Sequence, residues 1–450
     1  MIVMKFGGSS VESAAAIDRV ASIVQARAGQ HPVVVVSAMG KTTNRLLAIA
    51  DEAVAGRKNE ALTQLADLEQ FHLREGGSVG GKVEAHFAEL AELVKGLSIL
   101  GELTPRSVDA ISAYGERLSS LIVADAFRRK GIDAVHQDSR DYIITDDRHT
   151  LAAPLYPETY AHLEQRLAPR AQRQIAVMGG FIGSTKAGVT STLGRGGSDF
   201  SAAIIGAGIK AAEIQIWTDV DGMLTCDPRI LPGGHRVKVI SFSEAAELAY
   251  FGAKVLHPST VLPAVEKNIP VLILNSRRPE VEGTRIISGS APSANPVKAI
   301  ACKQNITTVH IRSMRMLGAH GFLRRIFEVF DHHQTPVDMV TTSEISVSLT
   351  IDNPQRLDAI VGELSKIAEI TVERDQAIIC LVGDKVAHTS GIAGRVFQSL
   401  NGTNIRMISQ GASLLNLSFV VAGSDLSNAV KALHTEFFAE LDPAVFERAQ

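Results

Sequence analysis

The sequence predicts a layered α/β domain with a central, mostly parallel sheet, followed by two copies of a small α+β unit. Three observations carry that prediction. Up to residue 290, short uninterrupted apolar runs rich in β-branched residues alternate with longer helical patterns. A small, polar, proline-containing stretch, "SGSAPSANPV" (Ser288–Val297), then has the composition of a linker. Beyond it, one pattern of helix, turn, strand, turn and strand occurs twice, about 70 residues apart.

In chain order, Ile2–Phe6, Pro32–Ala38, Gln174–Phe181, Glu213–Asp219 and Pro270–Ser276 are the expected strands. Their lack of polar alternation suits strands covered on both faces. Ser13–Ala28 and Ser241–Ala253 read as helices, the second with Ser241 and Glu244 at capping-box spacing. Ala61–Leu100 reads as a helical excursion from the sheet. The expected organisation is a first domain at 1–290, a linker at 291–298 and a paired region at 299–450. Its repeats lie near 315–385 and 386–450, the second completed by a strand at 300–312. Phe327 and Phe397, Val337 and Ile405, and Ile345 and Leu415 fall at matching places in the two copies. Such pseudo-symmetric seams commonly hold small ligands.

Composition excludes several classes. Across 450 residues, 45% are hydrophobic and 21% charged, with a net charge of −3, so no nucleic-acid partner is expected. No apolar run approaches the ~20 residues of a membrane helix, and the apolar stretch in "MIVMKFGGSSV" is too short for a signal peptide, so no secretory leader is expected. Cys226, Cys302 and Cys380 stand far apart without metal spacing, as expected for buried thiols in a reducing cytoplasm. His332-His333 and the other histidines show no ligand spacing, so no metal site is expected from them.

The candidate sites sit at turns. "MKFGGSSV" (Met4–Val11) puts Lys5 at a strand end before Gly7, Gly8 and Ser9, where amides and a cation could hold a phosphate. The same stretch also reads as a plain strand-to-helix turn. "GGSVGGKV" (Gly76–Val83) nearly matches a P-loop, but Val83 replaces the required hydroxyl and no strand precedes it, so an interhelical loop is expected. "GAGIKA" (Gly206–Ala211) follows a helix and reads as its C-terminal turn, not a dinucleotide fingerprint. "AYGERLSS" (Ala113–Ser120) places Glu116 and Arg117 inside an apolar helical stretch, where a charged pair is usually a solvated face. "TLGRGGSDFSA" (Thr192–Ala202) sets Arg195, Ser198 and Asp199 among glycines that allow close backbone approach. "WTDVDGMLTCDPR" (Trp217–Arg229) ends a strand at Thr218-Asp219, and "FGAKVLHPST" (Phe251–Thr260) adds Lys254. Lys5, Ser37, Gly179-Gly180 and Thr218-Asp219 all lie near carboxyl ends of expected strands, where open α/β sheets bind ligands.

Taken in order, "KFGGSSV", "YGERLSS", "TLGRGGSDFSA", "WTDVDGMLTCDPR" and "FGAKVLHPST" resemble the signature segments of the aspartate kinases. The repeated region resembles that family's paired ACT domains, and the lysine-sensitive bacterial type is the most similar. The resemblance covers essentially the whole chain. It implies an amino-acid-kinase-type domain followed by ferredoxin-like ACT units. It also implies ATP-dependent phosphorylation of the L-aspartate side-chain carboxylate, with Mg2+ held through the ATP phosphates. Lys5 would lie along the transferring phosphate, oriented by Asp199, with Gly7, Gly8 and Ser9 donating to it. Arg195 would take the α-carboxylate of aspartate and Glu116 its α-ammonium, with Thr43 and Ser198 nearby. Thr218, Asp219, Arg229 and Lys254 carry over to the nucleotide. Met316, Val337, Asp338, Thr342, Ser343 and Glu344 keep the pattern of a lysine effector site, Asp338 and Glu344 meeting the cation, and pairing of the ACT units implies a homodimer. Three positions depart from relatives: Leu224 where a tyrosine is frequent, and Ala319 and Pro336 where serines are frequent. The alternatives are another amino-acid or carbamate kinase of this fold, or a sensor without catalysis, against which intact Lys5, Arg195 and Asp199 speak.

Overall fold

The structure is a computed structural model that describes all residues except 253–255, 257, 319, 385, 449 and 450. It forms two compact units, Met1–Met223 with Leu256–Gly289, and Leu224–Val255 with Ser290–Gln450.

In the first unit the main-sheet strands are β1 (Ile2–Phe6), β2 (Pro32–Val36), β3 (Ala134–Gln137), β4 (Ile175–Gly179), β5 (Ile214–Thr218), β6 (Val271–Asn275) and β7 (Thr284–Ile287), beside a small sheet of Ile144–Thr145, Ile182–Thr185 and Thr190–Thr192. They run in the order β7-β6-β5-β1-β2-β4-β3, all parallel except β7 against β6. Every residue of β1, β2 and β4 is buried, which is why their sequences show no polar alternation. Lys5 pairs in register with Val35 on one side and Ile216 on the other. The carboxyl ends of β1, β2, β4 and β5 therefore form one edge.

The longer helices of this unit are α1 (Ala14–Gln25), α2 (Thr42–Val54), α3 (Lys58–Gly76), α4 (Lys82–Leu100), α5 (Pro105–Ser112), α6 (Tyr114–Arg129) and α7 (Gly197–Gly208); shorter helical segments include Tyr156–His162, Leu163–Leu167 and Ala168–Ala171, which run consecutively, and Leu262–Glu266. Ser13 caps α1 by accepting from the Ala16 amide. The P-loop-like segment is the connection of α3 to α4, with Gly77, Gly80 and Gly81 at positive φ. The "GAGIKA" segment closes α7. One core joins β1 and β2 to α1, α2, α3, α4 and α6.

In the second unit, α8 (Phe242–Tyr250) opens with the expected capping box of Ser241 and Glu244. Its sheet comprises β8 (Ala299–Arg312), β9 (Val340–Thr342), β10 (Ser346–Ile351), β11 (Glu369–Val382), β12 (Ile405–Gln410) and β13 (Asn416–Ala422). The order is β9-β10-β8-β11-β13-β12, antiparallel throughout. The two 14-residue strands β8 and β11 lie side by side, so each serves both repeats. The repeats carry α9 (Phe322–His332) with α10 (Leu357–Leu364), and α11 (Ile392–Ser399) with α12 (Leu426–Phe438). The matched aromatics Phe327 and Phe397 are not their shared core: Phe327 is 39% exposed, whereas Phe322, Ile326, Ile392 and Val396 are buried. The helical stripe that faces the sheet, not the identity of the aromatic letter, defines the repeat.

Candidate active site

Lys5 begins the site. Its backbone is fixed between two neighbouring strands, and its side chain is only 11% exposed. Lys5 Nζ lies 2.6 Å from Asp199 Oδ1. The contact is held by charge, because Asp199 Oδ1 accepts no aligned hydrogen bond among the described residues. Asp199 occupies the first turn of α7, where the helix dipole favours an acid, and Gly196 at φ 71° opens that helix without a side-chain cap.

Two glycines let the walls approach. A Cβ on Gly8 would stand 2.9 Å from the carbonyl oxygens of Ala38 and Gly40, and one on Gly180 2.7 Å from Ser198 Cβ. The first keeps the β1 turn against the β2 turn; the second keeps the β4 end against the start of α7.

Glu116 lies in the first turn of α6, a helix buried along most of its length, so it is not on a solvated face. It is 4% exposed. The Ala38 amide donates to its Oε1 at 3.1 Å, while Oε2 has no partner among the described residues. Burial pushes its carboxyl up to about 8, against the opposing pull of the Ala38 hydrogen bond and the Lys5 charge.

These side chains share one cleft of about 410 Å³, bordered by Lys5, Gly8, Thr43, Glu116, Arg195, Ser198 and Asp199. Arg195 is exposed and makes no ion pair among the described residues. Sequence reasoning did not single out Lys41 and Asn44, which border the same cleft. Their signal was position alone: they follow Gly40, at φ 53°, in the turn after β2.

Gly7 and Ser9 belong to the turn beyond β1 and stand outside the cleft lining. The Gly7 amide donates to the Trp217 carbonyl at 3.1 Å, which ties this turn to the end of β5. Thr218 ends β5 and donates through its hydroxyl to the exposed Asp219 at 3.2 Å. Arg229 lies in the second unit, 72% exposed, with Nη2 2.6 Å from Asp227 Oδ2. Leu224 closes the short strand Met223–Leu224. Lys254 and Ala319 lie outside the described residues.

In the first repeat, Met316 and Val337 pack against one hydrophobic core. Asp338 is already paired: Lys303 Nζ donates to its Oδ1 at 2.6 Å and lies 2.9 Å from Asp352. Burial raises the Asp338 carboxyl, with Lys303 opposing. Thr342, Ser343 and Glu344 are exposed at the β9–β10 turn. Asp338 precedes β9 and Glu344 lies in the turn after it, so the two acids stand on opposite ends of that strand. Near α9, the fold brings Glu363 to His332 and His333, within 3.5 and 3.1 Å, a cluster that sequence spacing could not show.

Comparison with known proteins adds the chemistry. The amino acid kinase family matches residues 1–275 and an ACT domain matches residues 379–437. Aspartokinase 2, a chloroplastic protein of Arabidopsis thaliana, is 40% identical over 98% of this chain and 85% of its own. The chain belongs to the aspartokinase family. The lysine-sensitive aspartokinase 3 of Escherichia coli is 36% identical over 97% of this chain and 99% of its own. The crystal structure of E. coli aspartokinase III with lysine and aspartate, in the T state, superposes with a TM-score of 0.84 at 34% identity, covering 97% of this chain and 99% of that one. This aspartokinase therefore transfers a phosphoryl group from ATP to the side-chain carboxylate of L-aspartate. No helix among its described residues is long and apolar enough to cross a membrane.

Proposed function

We propose that the cleft holds L-aspartate by its two α groups and presents the side-chain carboxylate to the γ-phosphate of ATP beside Lys5. The observation that carries this is the convergence of an Asp199-held lysine, an ion-pair-free arginine and a buried carboxyl with an unpartnered oxygen on one cleft. Arg195 takes the α-carboxylate through a two-pronged bond, and Glu116 Oε2 takes the α-ammonium. Thr43 and Ser198 supply hydroxyls. The attacking carboxylate is already a nucleophile, so the work lies in alignment and in relieving repulsion between two anions. Lys5 supplies the relieving charge and Asp199 fixes its position, while Gly8 and Ser9 donate to the phosphates and Gly7, its amide held by the Trp217 carbonyl, shapes the turn. Thr218 and Asp219 face the nucleotide, and family resemblance adds Arg229 and Lys254. The cleft offers cations and amides to the phosphates, so Mg2+ would enter with ATP, held by the phosphates themselves and neutralising their charge.

For regulation we propose L-lysine as the effector, bound by the ACT pair of a homodimer. Met316 and Val337 offer an apolar wall and Asp338 a buried acid. The separation of Asp338 from Glu344 along the hairpin favours two copies contributing to one site. A cytoplasmic address suits the three unpaired cysteines.

A coupled ADP-release assay with aspartate, glutamate and acetylglutamate tests the substrate, with lysine, threonine and methionine titrated against turnover. The expected result is turnover of aspartate alone, inhibited by lysine alone. Turnover of another acid removes the cleft assignment; indifference to lysine removes the effector.

A further inference from the structure

Asp109 is fully buried on α5, one turn and a short bend ahead of Glu116 on α6. Isolated burial of a carboxylate is strongly unfavourable, so its partners reveal what it is for. The Thr150 amide donates to its Oδ1 and Oδ2 at 3.0 and 3.1 Å, the Thr192 hydroxyl to Oδ1 at 2.5 Å, and His149 Nδ1 to Oδ2 at 2.7 Å. All the donors come from the two segments that border the Arg195 loop. Thr192 ends the short strand Thr190–Thr192, and its carbonyl accepts from the Ala152 amide at 3.0 Å. Thr150 holds φ 71°, a conformation that L residues rarely adopt and that the Asp109 bond to its amide supports. The next contact leads into the loop. A Cβ on Gly194 would stand 2.6 Å from Leu151 Cδ2 and 3.2 Å from the Thr150 carbonyl oxygen, so the 149–151 segment is the floor on which Gly194 and Arg195 lie.

We infer that Asp109 is a positioning residue for aspartate: it ties the helix pair that carries Glu116 to the strand end that leads into the Arg195 loop and to the segment on which that loop lies. Arg195 itself makes no ion pair among the described residues, so its place is set by its backbone. The spacing between the groups that take the α-ammonium and the α-carboxylate is then fixed by one buried carboxylate. The inference rests on the assignment of Glu116 and Arg195 to aspartate.

The test compares Asp109→Asn, Thr192→Val and Thr192→Ser with wild type by steady-state kinetics, with thermal melts to confirm folding. Asp109→Asn should raise the KM for aspartate about tenfold, the scale of one lost charge-assisted hydrogen bond, and leave the KM for ATP within about twofold. Thr192→Val should move the same parameter the same way, and Thr192→Ser, which keeps the hydroxyl, should restore it. An aspartate KM unchanged in folded Thr192→Val, a parallel rise in both KM values, or no rescue by Thr192→Ser overturns the inference. If Asp109→Asn does not fold, the Thr192 pair decides. Arg195→Ala is the control for the underlying assignment. An unchanged aspartate KM there removes both assignment and inference, whereas a raised KM there with unchanged Thr192→Val removes the inference alone.

Discussion

Glu116→Gln isolates the most unusual group of the cleft. In the empty site the carboxyl titrates near 8 in place of its ordinary 4.5, which disfavours its charged form by about 5 kcal/mol. On the proposed assignment aspartate brings an ammonium to that charge, so binding should ionise Glu116 and release a proton. At pH 7 about a tenth of the empty cleft is ionised and at pH 8 about half, so the wild-type KM for aspartate should fall about fivefold between them. Stability should run the other way. A carboxyl raised in the folded state contributes most below its unfolded value, and the contribution is lost as pH rises through about 8. Glu116→Gln keeps the shape and the bond from the Ala38 amide but cannot titrate. Its aspartate KM should be high and flat between pH 6.5 and 8.5, and its stability advantage over wild type should grow by about 1 kcal/mol between pH 7 and 9. ADP-release kinetics at saturating ATP and pH-resolved denaturant melts read both. A wild-type KM independent of pH in this range, or the same slope in the variant, would refute Glu116 as the ammonium partner.

Lys5→Ala should lower kcat by about a hundredfold to a thousandfold, as expected for removing a preorganised charge from the transferring group, while calorimetry shows a much smaller loss of aspartate binding. Unchanged turnover would remove Lys5 from the mechanism. Gly180→Ala forces a methyl to 2.7 Å from Ser198 Cβ and should cost about 1–3 kcal/mol in a denaturant melt, with a raised aspartate KM. In the second unit, Lys298 and Glu244 form an ion pair with exposures of 1% and 0% and a separation of 3.1 Å. Lys298→Met strands that carboxylate and should destabilise by about 3–5 kcal/mol, whereas Lys298→Met with Glu244→Gln should recover most of the loss.

The sequence made β1, β2, β4, β5 and β6 visible because strands covered on both faces leave long apolar runs. It hid β3 and β7, whose segments "AVHQ" and "TRII" carry half-buried or exposed polar residues at the sheet margin. Pro32–Ala38 is two residues too long as a strand, because the Ala38 amide turns away to Glu116. That same bond explains why Glu116 was ambiguous: a charged residue in a helix looks solvated until the strand end above it is known. Lys5, Arg195 and Asp199 stood out because they lie in glycine-rich turns, and the structure brings all three to one cleft. Asp109 was not, since its partners lie 40 to 83 residues away and no local pattern marks them.

The burial of Glu116 also bears on which acids the site accepts. A dicarboxylate without an α-ammonium would meet Arg195 and Lys5 as well as aspartate does, so cations alone cannot discriminate. It would leave Glu116 neutral, with Oε2 as unpartnered as in the empty cleft, and would gain nothing there. An acylated amine likewise lacks the charge that would ionise Glu116. Buried hydrogen-bonding groups reject substrates that lack their partner more strongly than apolar pockets reject a missing methylene. Glu116 is therefore better suited to discrimination by being buried and hard to ionise than it would be as a solvated acid, which any cation could satisfy. On the proposed assignment the cost of ionising Glu116 is offset only by a ligand that brings an ammonium, and that requirement is what selects a free amino group.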